Sequence, residues 1–232
     1  MDSSTTFVPD SRFGTWFLGT RTWRFHVLTE ALDNLQSLLP EPCPAFGTIL
    51  DIGTGQGHSL PELAARFQPV EIIALDPDPE MPVRSGANMA ACPVPMRAET
   101  AFAEATGLPG ASVDLVFCHQ TFHHIVDQER AIAELHRVLR PGGWLLFAES
   151  TRRYIHSLPI RILFRHPMKV QKSADEYRAL VAAAGFEVLP ERVRYPYLWW
   201  SRPDGGMFEW LGFPVPVKRE ETLVYAVFRK PS

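Results

Sequence analysis

Thr48-Ile49-Leu50-Asp51-Ile52-Gly53-Thr54-Gly55-Gln56-Gly57 is the stretch on which the reading of this chain turns. Thr48 to Ile52 is apolar apart from Asp51, which predicts a central parallel strand buried on both faces. Three glycines then alternate with Thr54 and Gln56, and residues 58–67 read as a helix. Glycine has no Cβ, so the backbone there can turn sharply and come close to a ligand. The helix behind the turn offers free N–H groups and a positive dipole end to a polar or anionic group. Strand, glycine turn and helix together predict a ligand held at the turn.

The run Glu71-Ile72-Ile73-Ala74-Leu75-Asp76 reads as a second strand ending in a carboxylate. Asp76 falls about twenty residues past the turn, where a ribose diol would be held. The nicotinamide and flavin fingerprint is Gly-x-Gly-x-x-Gly. In this chain the third glycine comes one residue early, and Asp51 sits two residues before the first. With these residues the chain resembles the class I S-adenosylmethionine-dependent methyltransferases. The resemblance implies an α/β fold with a seven-stranded Rossmann-like sheet. That sheet is mostly parallel with an antiparallel last strand, and helices cover both faces. It also implies S-adenosylmethionine as cofactor. Asp51, Gly53, Thr54, Gly55 and Gly57 would hold the methionine half, and Asp76 with Pro77 the ribose. Glu104 and Ala105, in the Ala103–Val116 phrase, would read the adenine, with Glu99 as a rival acid. Cys118, at the end of strand four, joins the cofactor-binding set.

The chain has 232 residues, enough for one sizeable α/β domain with appendages. An apolar fraction of 46% with 21% charged residues is that of a soluble globular protein. A net charge of −3 argues against a nucleic-acid partner, which calls for a basic field. No apolar run has membrane-spanning length, and Met1 to Thr6 lacks the pattern of a signal peptide. Cys43, Cys92 and Cys118 are scattered and without metal spacing, so no metal site is expected. The expected location is the cytoplasm, with the chain as a monomer or homodimer.

Residues 1–44 precede the first strand and form an added N-terminal segment; the methyltransferase-like domain spans 45–232. Arg12 to Phe25 carries five aromatic residues among arginines. Val27 to Leu39 follows with a helical apolar stripe. The aromatics either pack this helix onto the core or form a lid over the cofactor, where a tryptophan face attracts a sulfonium. A third strand is expected near Pro93–Ala98 and a fourth over Val113–Cys118. The histidines His119, His123 and His124 follow at the fourth strand's carboxyl end, where open α/β sheets bind ligands. Imidazole titrates near neutrality, so His119 and His123 are the candidate catalytic residues. Asp127–Leu139 reads as a helix and Trp144–Ala148 as a fifth strand. The intervening Arg137-Val138-Leu139-Arg140-Pro141-Gly142-Gly143 phrase is a marker of the same family. A helix over 176–184, a sixth strand over 186–193 and a seventh over 221–228 complete the order.

Two further segments bear on the acceptor. Residues 152–172 hold six Lys/Arg and no Asp or Glu among apolar residues. They predict a basic, apolar surface for an anionic substrate, a partner or a membrane face, or simply a solvated face. Residues 195–220 form an aromatic insertion that reads as an acceptor pocket or a dimer surface. Trp16, Phe17, Trp23, Tyr195, Trp199 and Trp200 are the candidate substrate-binding residues. The expected activity is methyl transfer to a small-molecule acceptor, with oxygen favoured over nitrogen or carbon as the methylated atom. The alternatives are a cofactor-binding module without turnover and a nicotinamide-dependent oxidoreductase. The latter is disfavoured by His58 where a glycine should stand and by the absence of a Tyr-x-x-x-Lys pair.

Overall fold

Thr48–Ile52 forms strand β1, and every residue of it is buried, as a strand covered on both faces requires. The computed structural model describes residues 11–202 and 204–232. The first ten residues of the expected N-terminal segment, and Pro203 of the aromatic insertion, lie outside that description. β1 pairs in parallel with β2 (Glu71–Asp76) on one side and β4 (Val113–His119) on the other. β3 (Met96–Thr100) lies parallel beyond β2, and β5 (Leu139–Ser150) parallel beyond β4. β7 (Leu223–Arg229) runs antiparallel to β5, and β6 (Val193–Arg194) pairs antiparallel with β7 at the edge. The sheet order is β3-β2-β1-β4-β5-β7-β6, the expected seven-stranded sheet.

Two strands differ from their expected extents for identifiable reasons. The sixth, expected over 186–193, is cut to two residues because Pro190 opens a 3-10 turn, Pro190–Arg192, in the middle of the run. Proline brings no N–H to a ladder, and upstream only the bridge of Glu187 to Arg229 remains. The fifth strand starts earlier than Trp144, because Leu139 pairs with Val113 before the register shifts. Asp114 sits at that irregularity. Its Oδ1 accepts from Arg140 at 2.5 Å, while its Oδ2 accepts the N–H groups of Gly47 and Thr48 at the start of β1.

Alternation along the strands sends neighbours to opposite faces. On one face Leu50, Ile52, Val116 and Phe147 pack against α6 (Gln128–Val138) and α9 (Ala174–Ala183), through Ile132, Leu135, Tyr177 and Val181. On the other, Ile49, Ile72, Leu115 and Leu146 meet α3 (Glu30–Ser37) and α4 (Ser59–Phe67). The N-terminal segment arrives as α1 (Arg12–Leu18), α2 (Arg21–Trp23) and a π-helical turn, Arg24–Thr29, that runs into α3. β5 is followed by two short helices, α7 (Arg152–Ile155) and α8 (Leu158–Leu163). Among the described residues no helix is long and apolar enough to cross a membrane. Because β2 and β3 build out one way from β1 and β4 the other, a crevice opens outside the strand ends at this switch point.

The glycines at the crevice have different jobs. Gly53, Gly55 and Gly57 all take left-handed backbone, with φ of 72°, 53° and 75°. A Cβ on Gly57 would stand 2.8 Å from Cβ of Ser85, on the helix after β2 (α5, Met81–Ala90), so Gly57 allows two helices to meet. A Cβ on Gly55 would meet nothing closer than the Gly53 carbonyl at 3.8 Å, so Gly55 faces open space. Gly57→Ala is therefore expected to lower unfolding free energy by about 1–3 kcal/mol from backbone strain. Urea denaturation checks this as a fall in midpoint at unchanged slope.

Candidate active site

A cavity of about 400 Å³ fills the crevice, a size suited to small-molecule ligands. Asp51, Gly53, Thr54, Gly55, Asp76 and Pro77 line one part of it, with Phe102 and Glu104 alongside. His119, His123, His124, His166, Tyr154 and Trp200 also line it. Thr15, Phe17, Trp23 and Phe164 complete the wall. The N-terminal segment is fastened there by Gln56, whose side-chain amide donates to the Thr15 carbonyl at 2.8 Å.

Four acids line this cavity, Asp51, Asp76, Asp78 and Glu104, and the first two lie nearest the glycine turn. Asp51 is buried, and its Oδ2 accepts from Thr54 Oγ1 at 2.9 Å and Ser59 Oγ at 2.7 Å. Burial outweighs those two bonds, and with the nearby Asp76 carboxylate it pushes the Asp51 pKa up to about 6. Asp76 accepts from the Gly55 N–H at 2.9 Å through Oδ2 and from the Asp78 N–H at 2.9 Å through Oδ1. Its pKa is also raised by burial. Each carboxylate oxygen has a second lone pair, so Asp76 retains acceptor capacity for hydroxyls. Burial raises Glu104 as well. A buried acid able to meet a cation, a ribose-competent acid and a glycine turn with space over Gly55 fit a nucleoside bearing a charged amino-acid tail.

The histidine end is organised by a residue that sequence reasoning passed over. Glu149, on β5, is fully buried. Its Oε1 accepts the backbone N–H groups of Thr121 and Phe122 at 2.9 and 2.8 Å, and its Oε2 pairs with His123 Nδ1 at 2.6 Å. The turn after β4 is thus pinned to the neighbouring strand, and His123 is left with Nε2 as its free nitrogen. His119 stands with its ring 5.7 Å from Trp23 and its Nε2 buried without a partner. Burial, with the nearby His123, pushes His119 down to about 3, so it is neutral across the physiological range. It can accept a hydrogen bond but is a weak store for a proton. Burial drives His124 and His166 down too, the latter to about 3.

The structure brings most of the expected residues to one cavity and sets others apart. Asp51, Gly53, Thr54, Gly55, Asp76, Pro77, Glu104, His119 and His123 all line it. Gly57 does not; it packs against Ser85. Ala105 points outward into a shallow groove with Arg130 and Arg137. Cys118 lies in the core between sheet and helices, its thiol toward Glu149, because side chains alternate along β4. Of the aromatics, Phe17, Trp23 and Trp200 reach the cavity. Trp16 and Trp199 are exposed, and Tyr195 packs against the core and bonds Arg178. The rest of the insertion, Phe208, Trp210 and Phe213, is also exposed. The basic segment turns Tyr154, Ile160, Phe164 and His166 inward as cavity wall and leaves Leu158 and Ile162 outside. No sequence signal distinguishes His166 from a solvated residue, whereas a carboxylate at the end of a buried strand could have drawn attention to Glu149.

A family model described as a methyltransferase domain matches residues 50–147. The demethylmenaquinone methyltransferase of Deinococcus radiodurans is 32% identical over 149 residues, covering 62% of this chain and 59% of that protein. The chain thus spans under two thirds of that relative's length. Among solved structures, the chain is similar to one described as a complex of the Haloferax volcanii Trm112 methyltransferase activator with a methyltransferase (TM-score 0.65, 20% identity, 94% of each chain). It is also similar to an S-adenosylmethionine dependent methyltransferase from Mesorhizobium loti (TM-score 0.63, 18% identity, 91% of this chain and 99% of that one). Cavity, glycine turn and paired acids define a nucleotide-type α/β site of the methyltransferase kind. Residues 50–147 thus match a methyltransferase domain, the fold is shared with S-adenosylmethionine-dependent methyltransferases, and the cofactor that this domain implies is S-adenosylmethionine.

In that assignment Asp51 would receive the cofactor's ammonium, which demands an ionised carboxylate. Binding therefore displaces the proton that the raised pKa favours. S-adenosylhomocysteine affinity is expected to climb with pH, by nearly tenfold per unit below about 6 and hardly at all above about 7. Asp51→Asn should flatten that profile and weaken binding by about 1–3 kcal/mol. Calorimetric titration across pH measures both.

Proposed function

We propose that the chain transfers a methyl group to a small-molecule acceptor, most favourably to an oxygen atom of it. The observation that carries this reading is a single cavity that runs from Asp51 and Asp76 to His119, His123 and Trp200. A cofactor and an acceptor small enough to share about 400 Å³ would meet there, which leaves no room for a folded macromolecule at the reacting atoms. The cofactor supplies an electrophilic sulfonium methyl: an acceptor O–CH₃ bond forms, the S–CH₃ bond breaks with its electron pair staying on sulfur, and the acceptor's proton is released. Everything else falls to the chain. Gly55 lets the backbone approach the ligand, Gly53 makes room for Thr121 beside it, and Asp51 and Asp76 fix the ligand's two polar ends. Phe17, Trp23 and Trp200 exclude water and hold a flat or apolar acceptor. His119 and His123 flank the nucleophile as hydrogen-bond partners, and its proton passes to solvent, since His119 is too weak a base to keep it. Positioning and desolvation then supply most of the rate, since a sulfonium needs little acid–base help.

A cytoplasmic protein without a nucleic-acid partner is consistent with the net charge of −3. The N-terminal segment, as a lid, would give the acceptor its route in. Mass action tests the cofactor. S-adenosylhomocysteine at about a hundredfold its Kd should stabilise the protein by about 2.7 kcal/mol, seen as a rise in Tm, while NAD should leave Tm unchanged. The reverse result would favour the oxidoreductase, and ligand binding with no transfer to any acceptor would favour a module without turnover.

Trp200→Ala separates acceptor wall from core. Its indole Nε1 donates to the His26 carbonyl at 3.0 Å, and one edge faces the cavity. Turnover on an acceptor found by screening is expected to fall by tenfold or more while S-adenosylhomocysteine affinity changes less than about twofold. Steady-state kinetics beside calorimetry reads the split, and equal losses of both would assign Trp200 to the fold.

A further inference from the structure

We infer that His123, His124 and His166 form a binding site for a divalent zinc-class metal ion, open to the cavity. One ring nitrogen of each lies within 4.8 Å of the others. The ring centroids stand 4.4, 5.1 and 4.7 Å apart pairwise. His123 and His124 come from the 3-10 turn Phe122–His124, and His166 from the irregular stretch between α8 and the turn Met168–Val170. Residues more than forty positions apart are thus folded onto one point, which a solvated basic segment would not do.

Three features single out a metal rather than a hydrogen-bonded cluster. His166 Nδ1 is buried with no hydrogen-bond partner. His123 gives its Nδ1 to the buried Glu149 at 2.6 Å, the carboxylate–imidazole arrangement that orients a metal ligand and raises its donor strength. That turn is further fixed by Gln171, whose side-chain amide donates to the His123 carbonyl at 2.8 Å. Three imidazoles with one position left free are also the donor set of catalytic zinc sites. A zinc–nitrogen bond of about 2.1 Å puts tetrahedral ligand nitrogens about 3.4 Å apart, so the set must draw in by roughly 1 Å. His166, outside any helix or strand, supplies that movement.

All three histidines line the cavity, so the free position faces the acceptor's side of it. The class of ligand it would take is an oxygen donor that ionises on coordination, such as an enol or phenol. This role rests on the proposed methyl transfer, whereas ion binding does not. In the metal-loaded protein the acceptor's proton is given up to solvent on coordination, as it is from zinc-bound water, and no imidazole base is required. The sequence expectation of no metal came from cysteine spacing, and these histidines meet only in the fold.

The test uses the full chain free of any histidine tag, stripped with a chelator and dialysed against Zn(II). Elemental analysis should find one ion per chain. Co(II) in its place should give the visible absorption of a low-coordinate nitrogen-ligated ion. His166→Ala, and separately Glu149→Gln, should weaken Zn(II) affinity by tenfold or more. The S-adenosylhomocysteine shift in Tm, retained in His166→Ala, shows that this variant is folded. No uptake, or uptake of equal affinity in His166→Ala, overturns the site while leaving the methyltransferase reading intact. Uptake with the expected loss in the variant, in a protein that shows no S-adenosylhomocysteine shift, supports the ion site and sinks the transfer reading instead.

Discussion

A carboxylate sealed in a sheet is costly unless donors meet it, and Glu149 is met by three nitrogen donors besides the Cys118 thiol. Two are backbone N–H groups of the turn that follows β4, and the third is a histidine ring. Leaving such donors unpaired would cost about 1–3 kcal/mol each, so the turn has one favourable position. That position decides where His119, His123 and His124 stand relative to the glycine turn on β1. Thr121 then sits so close to Gly53 that a Cβ there would come within 2.2 Å of its hydroxyl oxygen. The two loops that line the cavity are therefore registered to one another through the neighbouring strand and through the close approach of Thr121 to Gly53.

The two acids at the other end work by the opposite logic. Asp51 and Asp76 are held by hydroxyl and backbone donors that do not fully offset burial, and a neighbouring carboxylate adds to the cost of each, Asp76 to that of Asp51 and Asp78 to that of Asp76. Such a pair is an unfavourable place for charge until a cation or a diol arrives, so part of the binding energy is stored in the protein before binding. The aromatic and histidine end has no such acid exposed to the cavity, since Glu149 is turned away and occupied. One cavity thus has an acid-lined end and an apolar, imidazole-lined end.

How the wall is assembled explains why only some of the aromatic appendages matter to the site. α1 and α2 cross the mouth of the crevice, so Phe17 and Trp23 turn in while Phe13 and Trp16 turn out. Phe13 and Phe17 meet Phe164 edge-on, and this contact joins the N-terminal segment to the stretch after α8. The stretch that carries His166 is thereby built into the same wall. Trp200 reaches across to the His26 carbonyl and joins the insertion to the π-helical turn before α3. Segments from both ends of the chain enclose what the sheet only positions.

The sequence by itself determined the sheet and the cofactor end. Apolar runs of strand length, a turn that needs left-handed backbone at Gly53 and Gly55, and an acid at the end of the next strand are all local patterns. Local patterns survive in one dimension, so β1, β2, β4 and the positions of Asp51 and Asp76 were legible before any coordinates. Gly57 was legible as a turn glycine but not as a packing one, because Ser85 is its neighbour only in space. The aromatic and imidazole-lined end was decided by tertiary structure. Alternation places Cys118 inside the sheet and Ala105 outside the cavity, and helix phase sends Trp16 and Trp199 to solvent while Phe17 and Trp200 turn inward. The pairing of Glu149 with His123, and the meeting of His166 with His124, join residues tens of positions apart. Their geometry depends on strand register and on how the segment after β5 folds back, and neither leaves a periodic trace in the chain.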